Sequence, residues 1–138
     1  MDSNSYKKVV HAALFFGGKI MLSKRLKAGY HQNFWGDPGG KLEAGELPIW
    51  GAIREIQEET GLKLMPVELD FLDCFIYPER EIKCFIFKGE FFIDGFKAVK
   101  NPEPEKQSNW QLFSMKEALN WRFLMPSVKF YLKEYYEN

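Results

Sequence analysis

The sequence predicts a mixed fold of helices and strands, α+β or α/β, on three observations. Apolar, β-prone runs dominate the chain. A glycine-rich segment in its first third leads into one helical stretch. One or two further helical stretches lie near the C-terminus. Aromatic residues make up 17% of the 138 residues, with 13 Phe among them, which suits a β-heavy core or a stacking pocket. A chain of this length suits one domain over residues 1–138 and can bury roughly two-thirds of its unfolded surface.

Val9 to Phe16 is apolar and reads as a buried strand. Gly17-Gly18 is a two-residue hairpin turn, and Lys19 to Ser23 is the returning strand. Lys24, Arg25 and Lys27 follow and lead toward the glycine loop. As residue types they are ordinary surface charge; their position makes Lys24 and Arg25 candidate phosphate contacts. His11 and His31 lack metal-type spacing and receive no role. Phe34 and Trp35 precede Gly36-Asp37-Pro38-Gly39-Gly40, where the backbone can approach a ligand closely. They are candidates for base stacking, and equally ordinary as core residues.

Gly40 to Leu62 reads GKLEAGELPIWGAIREIQEETGL. The part through Gly45 is a loop, and Pro48 to Thr60 is a helix. Proline suits a first helical turn, where its missing N–H would have no partner. Gly61 suits the left-handed position just past the end. Ile49, Ile53 and Ile56 recur at i, i+4, i+7 and form an apolar face. Glu55, Glu58 and Glu59 share another face, although like charges so spaced cost a few tenths of a kcal/mol. Three glutamates alone are most often a solvated face. Clustered carboxylates also suit Mg²⁺, which prefers oxygen ligands and is held by a few carboxylates together with substrate phosphates.

Val67 to Tyr77 reads as a strand broken by Asp70 and Asp73, and Pro78-Glu79-Arg80 as a turn. Glu81 to Phe92 is a second β-prone run. Ile93 to Lys106 is a largely polar loop that Pro102 and Pro104 should keep extended, which would point Glu103 and Glu105 to the same side. Trp110 to Phe113 is a short strand. Ser114-Met115-Lys116-Glu117 fits a capping box. Pro126 opens a last helix, whose Val128, Tyr131, Leu132 and Tyr135 form a core stripe.

Gly40, Glu46, Arg54, Glu55, Ile56, Glu58, Glu59, Gly61 and Leu62 fit the pattern Gly-x5-Glu-x7-Arg-Glu-aliphatic-x-Glu-Glu-x-Gly-aliphatic. Chance would produce this about once in a billion windows, so a bare acidic face does not account for it. The pattern resembles the Nudix box at all nine defined positions. Beyond the box, the run NPEPEKQSNWQLFSMKEAL resembles the MutT-type nucleoside triphosphate pyrophosphatases. That resemblance implies an α/β/α sandwich with a central mixed sheet. It implies hydrolysis of nucleoside triphosphates to monophosphate and pyrophosphate, with a role in nucleotide-pool sanitisation in view. A nucleoside diphosphate sugar, ADP-ribose or a dinucleotide is the alternative substrate, and a non-catalytic nucleotide-binding module a third reading.

The implied cofactor is Mg²⁺, with Mn²⁺ able to substitute. Its implied ligands are Glu55, Glu58, Glu59, a backbone carbonyl at Gly39, and Glu105, which stands five positions before Trp110. Glu55, Glu58 and Glu105 are each candidates for the base. Arg54 belongs to the same catalytic set and pairs with Glu46 to fix the loop to the helix, while Gly40 sits on the substrate side. Relatives usually carry a large apolar residue just before Pro-Gly-Gly; here it is Asp37, which could bias the choice of base.

Nineteen basic and nineteen acidic residues cancel, which argues against a broad nucleic-acid footprint. The expected partner is a small nucleotide, and a homodimer stays open. Cys74 and Cys84 are the two cysteines, read as free thiols of a reducing cytoplasm. The first residues lack a signal-peptide apolar run, and no stretch reaches the length of a membrane span.

Overall fold

The computed structural model describes residues 3–29 and 31–137. Strands β1 (Lys7–Phe16) and β2 (Lys19–Lys24) form the expected hairpin. Phe15 pairs with Ile20 and Phe16 with Lys19. Gly17 and Gly18 take φ of 59° and 79°, the left-handed pair that matches the twist of the flanking strands. Two short strands follow, β3 (Trp35–Gly36) and β4 (Gly39–Lys41). Helix α1 (Pro48–Thr60) comes next and ends on Gly61, whose N–H donates to the Gln57 carbonyl at 2.9 Å.

Strands β5 (Asp70–Tyr77) and β6 (Ile82–Phe91) pair antiparallel. The expected break in β5 is a register shift between Phe71 and Asp73. Strand β7 (Gln111–Phe113), helix α2 (Met115–Leu119) and helix α3 (Pro126–Tyr135) complete the described chain. The capping box at Ser114 forms as its sequence indicates: Ser114 Oγ accepts the Glu117 N–H at 3.1 Å, and the Glu117 carboxylate accepts the Ser114 N–H at 3.0 Å.

Among the described residues the sheet runs β3-β2-β1-β6-β5, with β4 added on β1 and β7 on β2. It is mixed, because β1 and β6 run parallel from Lys7 beside Ile82 to Phe16 beside Phe91. β1 is buried on both faces, and its alternation assigns each side chain to a layer. Val10, Ala12, Leu14 and Phe16 pack with Ala52 and Ile56 of α1. Ala13 and Phe15 pack with Ala118 of α2 and with Val128, Tyr131 and Leu132 of α3. Helices therefore cover both faces of the sheet, the expected α/β/α sandwich. Each buried aliphatic or aromatic side chain contributes about 1.5–3 kcal/mol, so the first core anchors α1 against β1 and the second anchors α2 and α3 against its other face.

The segment from Asn101 to Gln107 departs from the extended chain its prolines suggest. The Glu103 carbonyl accepts the N–H groups of Lys106 at 3.0 Å and Gln107 at 3.3 Å. Asn101 Oδ1 accepts the Glu103 N–H at 3.3 Å. These bonds close a turn, in which Glu103 is half-buried and Glu105 exposed.

Candidate active site

Helix α1 meets the sheet at β4. Val10 stands opposite Gly40 and His11 opposite Gly39. A side chain at 39 would run into the Val10 carbonyl and the His11 ring, and one at 40 would meet the Glu55 carboxylate. The two glycines are thus a gap in the sheet edge through which α1 carboxylates reach the other side.

Arg54 organises those carboxylates. Its guanidinium donates to Glu46 through Nε at 2.8 Å and Nη2 at 2.9 Å, two parallel bonds of the strong bidentate kind. Nη1 donates to Glu55 at 3.0 Å and Glu58 at 3.3 Å, and Nη2 to the Lys41 carbonyl at 3.0 Å. Glu46 also accepts the Glu43 N–H at 3.0 Å. The Arg54 hydrogen bonds first, and the Glu43 N–H second, hold the Glu46 carboxyl down at about 2. Arg54 and Glu46 together tie the glycine loop, β4 and α1 into one unit.

Glu59 is anchored separately, accepting the Gly39 N–H at 3.1 Å. Burial first, then the Glu55 charge, push its carboxyl up to about 8, against the Gly39 N–H and His11. Burial also raises Glu55 above the usual carboxylate range, with Arg54 opposing. Glu103 adds to the upward push on both Glu55 and Glu59. It is half-buried and paired with Lys106 at 3.1 Å. Glu105, which the resemblance selects, is exposed in the turn and stands among the charges acting on Lys106, not among those acting on Glu55 or Glu59.

Among the described residues no three carboxylate, histidine or cysteine side chains already converge as a ligand shell. The reason is visible in the bonds above: Glu55 and Glu58 turn to Arg54, and Glu59 to the Gly39 N–H. The donor set nevertheless fits a hard divalent cation. It consists of oxygens alone, and a cation beside Glu59 would return a carboxyl pushed toward neutrality to its charged form.

The gap opens into a cavity of about 540 Å³. Glu55, Glu59, Gly39 and Gly40 line it together with Arg25, Lys27 and Lys106. Val9, Tyr77, Ile82 and Met125 give it an apolar surface, with His11 and His31 beside them, and Lys7, Lys41 and Arg80 also line it. One volume thus joins acidic groups, basic groups and an apolar surface, the composition a nucleotide requires.

Several candidate substrate contacts lie elsewhere. Lys24 and Trp35 line a different recess with Trp121 and Arg122. The Trp35 ring packs on Phe113 and Trp121 at 5.4 and 5.3 Å. Phe34 packs on Phe123 and backs His31 at 4.7 Å. Asp37 is buried, with one oxygen 2.7 Å from His11 Nδ1 and the other accepting the Tyr131 hydroxyl at 2.8 Å. A carboxylate with both oxygens engaged inside the core does not face a base, and Asp37 reaches the cavity only through His11. His11 and His31, given no role from sequence, do line it. The available signal was a polar His11 inside an otherwise apolar strand run.

A NUDIX domain model matches residues 6–133. The chain belongs to the Nudix family. It is 32% identical over 115 residues to an 8-oxo-dGTP diphosphatase of Buchnera aphidicola subsp. Schizaphis graminum, covering 72% of this chain and 87% of the relative. It is 31% identical over 99 residues to an ADP-ribose pyrophosphatase of Methanocaldococcus jannaschii, covering 67% of this chain and 57% of that one. In fold it is similar to a MutT NUDIX hydrolase from Burkholderia pseudomallei, with a TM-score of 0.78 at 22% identity over 94% of this chain and 97% of that chain. The protein is a MutT-type Nudix hydrolase. The acidic residues and the glycine gap fall in the stretch that resembles the Nudix box, with α1 as its helix. Among the described residues no helix is long and apolar enough to cross a membrane.

Proposed function

We propose that this Nudix hydrolase converts nucleoside or deoxynucleoside 5′-triphosphates to the monophosphate and pyrophosphate, using Mg²⁺ or Mn²⁺. The observation that carries the reading is the cavity itself, whose lining joins Glu55 and Glu59 with Arg25, Lys27 and Lys106. Glu55, Glu58, Glu59 and the Gly39 carbonyl would hold the cations. A bound divalent cation supplies charge neutralisation of the diphosphate and lowers the pKa of a water.

The chain's own groups do the rest. Arg54 and Glu46 fix the helix against the loop. Arg25, Lys27 and Lys106 draw the phosphates against the acidic wall. A glutamate of the box, or the distal one, takes the proton of the attacking water. For that distal residue Glu103 is the stronger candidate, because it is half-buried where Glu105 is exposed and its charge adds to the upward push on Glu55 and Glu59. The apolar surface of Val9, Tyr77, Ile82 and Met125 receives the nucleoside.

The name of the Buchnera relative supports a triphosphate substrate and a part in clearing the nucleotide pool. The Methanocaldococcus relative supports the alternative, ADP-ribose or another nucleoside diphosphate derivative. Balanced charge and two free cysteines suit a cytoplasmic enzyme of small nucleotides. The test is a screen of nucleoside triphosphates, ADP-ribose, nucleotide sugars and dinucleoside polyphosphates at equal concentration with Mg²⁺. A kcat/KM highest for a triphosphate supports the proposal. A preference of tenfold or more for ADP-ribose over every triphosphate replaces it with the alternative.

A further inference from the structure

We propose that Lys7, Lys41 and Arg80 form a second anion subsite in the cavity, which takes a phosphate carried on the ribose of the nucleotide, separate from the phosphates that are cut. The proposal rests on the reading of this cavity as the nucleotide site and adds to it the class of substrate favoured: a nucleotide phosphorylated at the ribose as well as at its 5′ end.

Position along β1 is the first argument. Gly39, where Glu59 is anchored, stands opposite His11, and Lys41 opposite Val9. Lys7, Val9 and His11 alternate onto one face of the strand. Lys7 lies four residues from His11 and so about 13 Å further along the strand. It pairs with Ile82, and Ile82 with Tyr77, at the edge of the turn that carries Arg80. Between the acidic gap and this outer end lies the apolar surface of Val9, Tyr77 and Ile82, the length on which a nucleoside would rest. A nucleotide with its 5′ phosphates at Glu55 and Glu59 therefore presents the far side of its sugar to the outer end.

Charge is the second argument. Three cations from three separate segments, β1, β4 and the β5–β6 turn, converge at one end of one cavity. Lys41 first, with Arg80 contributing, holds the Lys7 ammonium below the usual lysine range. Cations that crowd one another to this extent are relieved by an anion between them. Of the other cations that line the cavity, Lys106 stands within reach of the Glu59 charge, where the 5′ phosphates would lie.

Binding of product-like ligands tests this without turnover. Calorimetric titration with Mg²⁺ present would compare 5′-GMP with guanosine 3′,5′-bisphosphate, and the adenosine pair as a second series. The expected result is bisphosphate affinity at least tenfold above the monophosphate. The double variant Lys7→Ala with Arg80→Ala should lose that margin and keep its affinity for the monophosphate. Lys7→Glu, an exposed single change, should bind the bisphosphate no better than the monophosphate. Equal affinities in the unaltered protein would overturn the subsite and leave the nucleotide reading intact. So would a tenfold margin that survives in the double variant, because the extra phosphate would then sit elsewhere. Failure of every mononucleotide to bind would overturn both.

Discussion

Glu55 packs directly over Gly40. A Cβ placed at position 40 would lie 2.5 Å from the Glu55 carboxyl carbon, closer than such atoms approach. The glycine here answers to the helix carboxylate above it. Gly40→Ala should therefore leave the fold nearly unchanged, because the far end of a glutamate can swing aside. It should cost about 10²-fold in kcat, the scale of a displacement of about 1 Å at a reacting centre. Thermal unfolding beside steady-state turnover checks both halves; full activity in the alanine variant would detach Glu55 from the site.

The bidentate Arg54–Glu46 pair makes a different prediction. Its groups are partly buried, with side-chain exposures of 25% and 14%, so the charged hydrogen bonds are screened less than at an open surface. Glu46→Ala should lower stability by about 1–2 kcal/mol and reduce activity, because the loop and α1 lose their tie. The Glu46 carboxyl is lowered, so its contribution is present above the ordinary glutamate range and is lost as pH falls toward about 2. Denaturant unfolding at neutral pH should show the loss; an unchanged midpoint would reduce the pair to a surface contact.

Glu59 has the opposite sign. Its folded carboxyl sits near 8, above the unfolded value of about 4.3. The native state holds the proton more tightly, so this stability is present below the unfolded value and is lost as pH rises through 8. In excess EDTA, the Tm of the unaltered protein should fall relative to Glu59→Gln between pH 5 and pH 9. The amide keeps an oxygen for the Gly39 N–H and removes the titration. A difference in Tm that does not vary with pH would show that Glu59 is not held protonated.

The turn at 103–107 yields a paired test. Glu103→Gln should lower kcat by roughly 10- to 10³-fold and raise the Mg²⁺ requirement. Glu105→Gln should do much less. Side-by-side Mg²⁺ titrations decide it, and greater damage in the Glu105 variant would restore the residue that the resemblance selects.

The parts legible in the sequence are those set by local chemistry. Pro48, Gly61 and the Ile49–Ile53–Ile56 stripe mark α1 within its own residues, and Gly17-Gly18 marks a hairpin. The box spacing identifies the acidic wall. What escapes a single sequence is pairing at a distance. The parallel match of β1 with β6 leaves no local trace, and neither does the bond between His11 and Asp37. Asp37 thus looked available to a ligand when it is committed to the core. The expected extended run through Glu103 and Glu105 failed for a narrower reason. Alternation holds for an extended chain, and here the Glu103 carbonyl closes a turn with Lys106 and Gln107. Prolines constrain φ but do not forbid that turn.

The central claim is that the carboxylates of α1 hydrolyse a nucleoside triphosphate with divalent cations. The most direct measurement is quantification of pyrophosphate and orthophosphate from one triphosphate, for the unaltered protein and Glu58→Gln, with Mg²⁺ and with excess EDTA. The account predicts equal amounts of nucleoside monophosphate and pyrophosphate with Mg²⁺, a fall of at least about 10²-fold in kcat for Glu58→Gln, and no turnover in EDTA. Orthophosphate as the first product, or full turnover in EDTA, would contradict it.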